Sequence, residues 1–284
     1  MVMPPDSHVH TEWSWDTAVG DMEGSCERAV ALGLPGIAFT EHFDHTVWWA
    51  DLQGPYGSEY FTTFCDADGM VRPPPFDAAG YLAAVERCRE RFPELRIFTG
   101  LEMGEPHRHV AAFGEVLATG RFDRVLGSSH VVTDGDRFAE PWGVFEHRDP
   151  AEVMREYLAG VADMVATSLP FSVVAHIDYP VRFWPGRFDP AEFEDEFRHA
   201  LRETARSGRA LEINTRLPLH ATILGWWRDA GGDAVSFGSD AHLPDAVAHG
   251  FADAAAMAEA YGFRPGPHPA DLWPRTLSTL VSGP

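Results

Sequence analysis

The chain has 284 residues, 45% of them hydrophobic, which is enough to build the core of one large α/β domain. Its formal net charge of −21 would repel a nucleic-acid backbone, so nucleic-acid substrates and partners are excluded. All 22 basic residues are arginine, which rules out a Schiff-base lysine and a phosphate-loop lysine.

The three cysteines, Cys26, Cys65 and Cys88, are odd in number and lack C-x-x-C spacing. This pattern predicts reduced thiols in a cytoplasmic protein. We find no signal peptide and no long apolar run, so we expect a soluble chain with no membrane partner. The sequence is silent on the oligomeric state.

The chain opens on a short strand that carries Asp6-Ser7-His8-Val9-His10-Thr11 and then alternates helices with strands. Helical patterns cover 21–32, 77–92, 106–119, 150–168, 190–207, 219–230 and 245–260. Later strands are predicted at 37–40, 95–101, 124–126, 171–175, 210–214 and 234–237. About seven strands, each followed by a helix or long crossover, predict a parallel sheet closed into a barrel. No linker or internal repeat divides the chain, so residues 1–284 are interpreted as a single domain.

One stretch interrupts the alternation. Residues 43–76 are rich in aromatic residues and glycine, and they end in three consecutive prolines. They are predicted to be irregular. Long loops in compact domains are usually lids or binding loops, so this segment is a candidate cover for a substrate.

Polar side chains recur where the predicted strands end. His8 and His10 are two residues apart, so on an extended strand both imidazoles point to the same face. Imidazole or carboxylate groups also follow the later strands, at His42, Glu102, His130, His176, Asp240 and His242. In a barrel these ends converge on one face. Imidazole and carboxylate ligands without thiolate suit zinc, manganese or iron, and this number of ligands suits two or three divalent ions.

These motifs together resemble the PHP (polymerase and histidinol phosphatase) family, most closely its histidinol-phosphatase members. The resemblance covers nearly the whole chain. It is carried by His8-Val9-His10-Thr11, Thr40-Glu41-His42, Gly100-Leu101-Glu102, Ser129-His130, Ala175-His176, Glu212-Ile213-Asn214 and Gly238-Ser239-Asp240-Ala241-His242. It implies an α/β fold, a distorted TIM-like (β/α)7 barrel of PHP type, usually with a trinuclear metal site.

Carried over residue by residue, the resemblance implies three ions. The ligands of the first would be His8, His10, Glu102 and Asp240. Glu102 would bridge to a second ion held by His130 and His176. The third would take His42, His242 and Asp16, at a position where some members have a histidine. Glu105 is the alternative to Glu102 as the bridging ligand.

The implied reaction is hydrolysis of a small phosphate monoester by a metal-bridging hydroxide held by Glu102, His130, His176 and Asp240. L-histidinol phosphate is the favoured substrate. The same site acting on a nucleoside monophosphate or a sugar phosphate is the alternative, and a non-enzymatic metal-binding barrel is a third.

Contacts to the substrate are also expected near strand ends. Arg216 and Arg182 follow such ends, and a planar guanidinium donates two parallel hydrogen bonds to phosphate. Glu105 is a candidate for orienting the substrate. Glu105, Asp178 or Glu41 would pair with the cationic groups of histidinol.

Overall fold

A computed structural model describes residues 2–54 and 57–276. The strands are β1 (Asp6–Val9), β2 (Ile37–Phe43), β3 (Trp48–Trp49), β4 (Met70–Val71), β5 (Ile97–Gly104), β6 (Arg124–Ser128), β7 (Val132–Asp134), β8 (Arg137–Ala139), β9 (Val173–Val174), β10 (Ala210–Asn214), β11 (Ala234–Gly238) and β12 (Trp273–Pro274). The helices are α1 (Met22–Leu32), α2 (Glu59–Thr62), α3 (Ala78–Arg91), α4 (Val110–Leu117), α5 (Pro141–Val144), α6 (Pro150–Val165), α7 (Glu194–Arg206), α8 (Ala221–Asp229) and α9 (Phe251–Ala260).

The main sheet has the order β1-β2-β5-β6-β9-β10-β11-β12, and its first seven strands pair in parallel. The ring closes between β11 and β1. His10 N–H donates to the Ala241 carbonyl at 2.8 Å, and Asp240 N–H donates to the His8 carbonyl at 2.8 Å. The predicted distorted seven-stranded barrel is confirmed. The sequence did not predict the last strand, β12, which pairs antiparallel with β11.

The barrel forms because its strands are buried on both faces and its helices on one. Ile37, Phe39 and Leu101 are fully buried or nearly so, as expected of strands covered by helices. The helices begin where short acidic side chains satisfy free amide groups; Asp21 accepts from Gly24 N–H and Asp77 from Gly80 N–H. This regular frame sets the strand ends at one mouth.

The segment 43–76, expected to be irregular, contains short regular elements that the sequence did not predict. Part of the segment forms β3, α2 and β4, and β3 joins the hairpin β7–β8 in a second sheet of order β4-β3-β8-β7. A small apolar cluster, which contains Trp48, Phe61 and Val131, packs there. We call this second sheet together with α2 the cover. The pairing of β3 with β8 joins segments distant in sequence, and such a pairing leaves no periodic pattern.

Several boundaries also differ from the predictions. Strands β2 and β5 run on to Phe43 and Gly104, so His42 and Glu102 lie within strands rather than after them. The helix predicted at 106–119 begins with a separate 3₁₀ turn, after Glu105 adopts a left-handed φ of 45°. The last predicted helix begins later, at Phe251.

The cysteines are free thiols; Cys26 and Cys88 are buried and Cys65 is partly exposed. None of the helices within 2–54 and 57–276 combines the length and apolarity that crossing a membrane requires.

Candidate metal centre

Glu102 lies at the middle of the barrel mouth and is buried. Its Oε1 lies 2.7 Å from His176 Nε2 and 3.2 Å from His130 Nε2. Its Oε2 lies 3.2 Å from His42 Nδ1, 3.3 Å from His8 Nε2 and 3.4 Å from His10 Nε2. The two carboxylate oxygens therefore face two different sets of imidazoles, which is the arrangement expected of a bridging ligand.

A third group lies beside the first two. His242 Nε2 lies 2.9 Å from Asp16 Oδ2, and His42 Nε2 lies 3.4 Å from the same oxygen. His10 stacks on His42 with ring centroids 4.3 Å apart, and the nitrogen atoms of His10, His42 and His242 lie close enough to hold one cation. The structure thus brings Asp16 to the histidines that the sequence assigned to the third ion.

Asp240 completes the mouth from β11. Its Oδ1 lies 3.6 Å from His10 Nε2, and it forms a candidate ligand group with His8 and His176. It adopts a left-handed φ of 54° directly after the strand, a conformation that aspartate tolerates better than most residues. This turn directs the carboxylate into the mouth. We call the nine predicted ligands the cage: His8, His10, Asp16, His42, Glu102, His130, His176, Asp240 and His242.

The charges of the cage favour ionised carboxylates. Burial opposes ionisation of Glu102, but the imidazoles of His8, His130 and His42 outweigh it and hold its pKa well below the usual value. Burial likewise opposes ionisation of Asp240, and Arg182 leads the charges that hold its pKa low. Burial lowers the pKa of His10, which keeps that imidazole neutral. Burial also opposes protonation of His8 and His42, but Glu212 and Asp16 respectively outweigh it and raise the pKa of each imidazole. Ionised carboxylates and neutral imidazoles are the forms that bind metal, so binding of cations here would release protons from these two histidines.

The donor set fits two or three divalent cations. Five overlapping groups of three donors bring their atoms within 4.8 Å of one another in the described residues. Buried Asp16 Oδ1 finds no hydrogen-bond partner in that part of the chain, although a buried polar atom without one is costly. A cation held at this group would satisfy that oxygen, and no thiolate lies in the five groups.

A cavity of about 610 Å³ lies between the cage and the cover. Arg182 and Arg216, both predicted to bind substrate, line it. The guanidinium of Arg182 is largely buried against the carboxylate of Asp240. Arg216 is half exposed; its Nη1 lies 3.3 Å from Asp240 Oδ1 and 3.0 Å from His242 Nδ1. Both guanidinium groups therefore reach the rim of the cage.

Of the three acidic residues proposed for substrate contact, one lines the cavity and two do not. Glu105 lines the cavity, and its Oε1 accepts from His130 N–H at 2.7 Å and Val131 N–H at 3.3 Å. It therefore holds the loop that carries His130. The structure does not support the predictions for Glu41 and Asp178: both are buried, and neither lines the cavity.

Sequence reasoning gave no role to two carboxylates that contact the cage, Asp44 and Glu212. Asp44 lines the cavity, its Oδ2 lies 3.4 Å from His42 Nδ1, and it forms a candidate ligand group with His42 and His130. Glu212 Oε1 lies 2.7 Å from His8 Nδ1. The signal for Asp44 was its spacing two residues after His42, which puts both side chains on one face of an extended chain.

Glu140 was also missed. It follows β8 in the cover, lines the cavity and accepts a hydrogen bond from the Tyr179 hydroxyl at 2.9 Å. Burial raises the pKa of this carboxyl to about 8. No motif marks it, because its position depends on how the cover packs on the barrel.

Fold and site together define a polynuclear metal-binding α/β barrel. The chain belongs to the PHP domain family, whose model matches residues 6–216.

Two relatives that this chain matches over most of their length are named histidinol-phosphatase, one of them as probable. The chain is 26% identical over 249 residues to a histidinol-phosphatase of Lactococcus lactis, covering 84% of each chain. It is 29% identical over 262 residues to a probable histidinol-phosphatase of Deinococcus radiodurans, covering 88% of this chain and 90% of that one.

Solved structures confirm the fold. A histidinol phosphate phosphatase from Lactococcus lactis, complexed with zinc, L-histidinol and phosphate, superposes with a TM-score of 0.75 at 24% identity, covering 92% of this chain and 94% of that one. A putative histidinol phosphatase from Listeria monocytogenes gives a TM-score of 0.66 at 17% identity, covering 88% and 99%.

Proposed function

We propose that this protein is a metal-dependent phosphatase that hydrolyses L-histidinol phosphate to L-histidinol and phosphate. The observation that carries the proposal is the pair of oxygen atoms of Glu102. Each faces its own set of imidazoles, at the floor of a cavity whose rim bears two arginines. Cation ligands and anion-binding groups thus share one site.

The relatives support the substrate. Two proteins matched over most of their length are named as histidinol-phosphatases, and a solved neighbour contains zinc with L-histidinol and phosphate. Family membership alone would leave the ester open. The names, together with the cage, favour histidinol phosphate.

Divalent ions bound here would supply hydroxide at neutral pH and offset charge on the phosphoryl oxygens. The protein would hold the ester in place. The guanidinium groups of Arg182 and Arg216 would donate to the phosphate oxygens from the rim. Arg182 is suited to orientation because its side chain is only 15% exposed and is held beside Asp240. Arg216 is freer, with 49% of its side chain exposed, and suits capture of the incoming anion.

The cavity also suits the organic half of the substrate. Its volume lies in the range of small-ligand sites. The wall formed by the cover and its neighbours carries Trp15, Phe61 and Glu140. Aromatic faces and a hydrogen-bonding carboxyl group are complementary to an imidazole and an amine.

A substrate panel tests the proposal. Phosphate release from L-histidinol phosphate, a nucleoside monophosphate and a sugar phosphate would be compared on the metal-loaded protein, with Glu102→Gln as the inactive control. We expect kcat/KM for histidinol phosphate to exceed the others at least about tenfold, or about 1.4 kcal/mol. A preference of that size for another ester would overturn the choice of substrate. Fewer than one ion per chain with no hydrolysis would instead support a non-enzymatic barrel.

The cytoplasmic location, the lack of a nucleic-acid partner and the single domain over residues 1–284 stay predictions from the sequence.

A further inference from the structure

A buried carboxylate stands behind the cage without facing the cavity. Glu212 lies on β10 and is fully buried. Its Oε1 lies 2.7 Å from His8 Nδ1, and its Oε2 accepts from His176 N–H at 2.8 Å and from Asn214 Nδ2 at 3.1 Å. Space for it depends on Gly238, where an added Cβ would lie 2.0 Å from Oε1. One side chain therefore contacts two elements of the cage, each by a different oxygen.

The proton at His8 Nδ1 follows from these contacts. An ionised carboxylate only accepts hydrogen bonds, so Nδ1 must be the donor. With Nδ1 protonated, Nε2 is the nitrogen left to give its lone pair to a cation, and Nε2 faces Glu102.

His10 is held in the same way. Its Nδ1 lies 2.9 Å from Ser14 Oγ, which accepts His42 N–H at 3.0 Å and donates to Glu41 Oε2 at 2.6 Å. When the Ser14 hydroxyl donates its single proton to Glu41, its oxygen is left to accept from His10 Nδ1–H. His8 and His10 are thus each hydrogen-bonded at Nδ1, on the side away from the cations.

We propose that Glu212 is a positioning residue that fixes the tautomer of His8, with Nδ1 protonated and Nε2 free for a cation. The inference rests on the metal cage of the proposed function and adds a residue to it. Such partners typically contribute about 10–100-fold to metal affinity.

Glu212→Gln tests this with almost no change in volume. The His176 amide N–H needs an acceptor, so the glutamine oxygen takes the place of Oε2. The amide nitrogen then lies at Oε1 and donates to His8 Nδ1, which places the His8 proton on Nε2. We expect Zn²⁺ affinity, measured by competition with a chromophoric chelator, to fall about 10–100-fold. Glu115→Gln on the exposed face of α4 removes the same charge and should leave the affinity unchanged.

A double-mutant cycle separates positioning from general structure. In a His8→Ala background, Glu212→Gln should cost less than about twofold in Zn²⁺ affinity, because the residue it acts through is gone. Equal losses in both backgrounds would overturn the proposal. Unchanged affinity in the single variant would do so too.

A second measurement needs no variant at position 212. In the unmutated, zinc-loaded protein, NMR with ¹⁵N-labelled histidine should show an Nδ1–H proton on His8 that is protected from exchange with water. A His8 signal with the proton on Nε2 would contradict the inference, even if Glu212→Gln failed to fold. Binding of less than one zinc by the unmutated protein would contradict the proposed function instead.

Discussion

The cage and the cover face each other across one cavity, but they are built differently. Apart from Asp16, which lies in a loop, the cage residues lie in strands of a closed ring or within a few residues of their ends, and His8 and His10 have hydrogen-bonded supports behind them. The cover rests on strands of two or three residues and a small apolar cluster of its own. We infer from this difference that residues of the ring carry out the reaction, whereas changes in the packing of the cover leave the metal ligands in place.

The sharpest way to break this comparison is to remove the ligand at the centre of the cage. Glu102→Gln keeps the shape of the side chain but removes the negative charge that both groups of imidazoles face. We expect kcat/KM to fall on the order of 10³-fold, because several kcal/mol of metal-dependent stabilisation is lost. Zinc per chain, measured by elemental analysis, should fall in parallel. Full activity in this variant would show that the reaction does not depend on the cage.

Substitution of the two arginines tests the rim of the cavity, between the cage and the cover. Removing a charge-assisted hydrogen bond costs about 1.5–3 kcal/mol, so Arg182→Ala should lower kcat/KM about 10–100-fold. Arg216→Ala should mainly raise KM, because this half-exposed side chain captures the anion. Steady-state kinetics and metal analysis on both variants check this. Loss of bound metal in Arg216→Ala would reject its role as a substrate contact.

Truncation within the cover should have a smaller effect. Phe61→Ala removes a ring that packs on Trp15 and Trp48 and lines the cavity. About 1 kcal/mol of lost contact would raise KM about fivefold and leave the metal content intact. Phe237→Ala is the matched change in the barrel core, where the ring packs on Phe251 and Trp273.

The two variants should separate by thermal unfolding. A cavity in the barrel core costs about 3–5 kcal/mol, so Phe237→Ala should lower Tm well below that of Phe61→Ala. Equal losses of Tm would mean that the Phe61 ring contributes as much to stability as the Phe237 ring, which would contradict the division proposed here.

The pH dependence of stability tests the electrostatics of the cover. Burial raises the pKa of Glu140 from 4.5 to about 8. Between those values the folded protein keeps a proton that the unfolded chain releases. The contribution of Glu140 to stability is therefore fully present below pH 4.5 and is lost as the pH rises through about 8, at about 1.4 kcal/mol per pH unit.

Glu140→Gln should remove this contribution. The free energy of unfolding, measured by denaturant titration at several pH values, should fall less steeply with pH in the variant. Identical slopes in the two proteins would show that Glu140 titrates normally.

The barrel and most of the cage were predictable because both follow periodic patterns, whereas Asp16 follows no strand end and was assigned only through the resemblance to the PHP family. Alternating strands and helices fixed the architecture, and residues such as His176 and Asp240 mark strand ends in the sequence itself. The cover was not predictable: Trp49 pairs with Ala139, and no local pattern links such distant residues. Glu41 was assigned to the substrate because it adjoins His42, but successive side chains on a strand point to opposite faces. Its carboxylate instead holds Thr11 and Ser14.

The central claim is that residues from position 8 to position 242 meet in one cage for cations. Anomalous diffraction at the zinc edge, on crystals of the zinc-loaded protein, tests it most directly. We predict two or three peaks within bonding distance of the cage residues, with one on each side of Glu102. A single peak elsewhere, or no peak at the barrel mouth in protein that retains zinc, would contradict it.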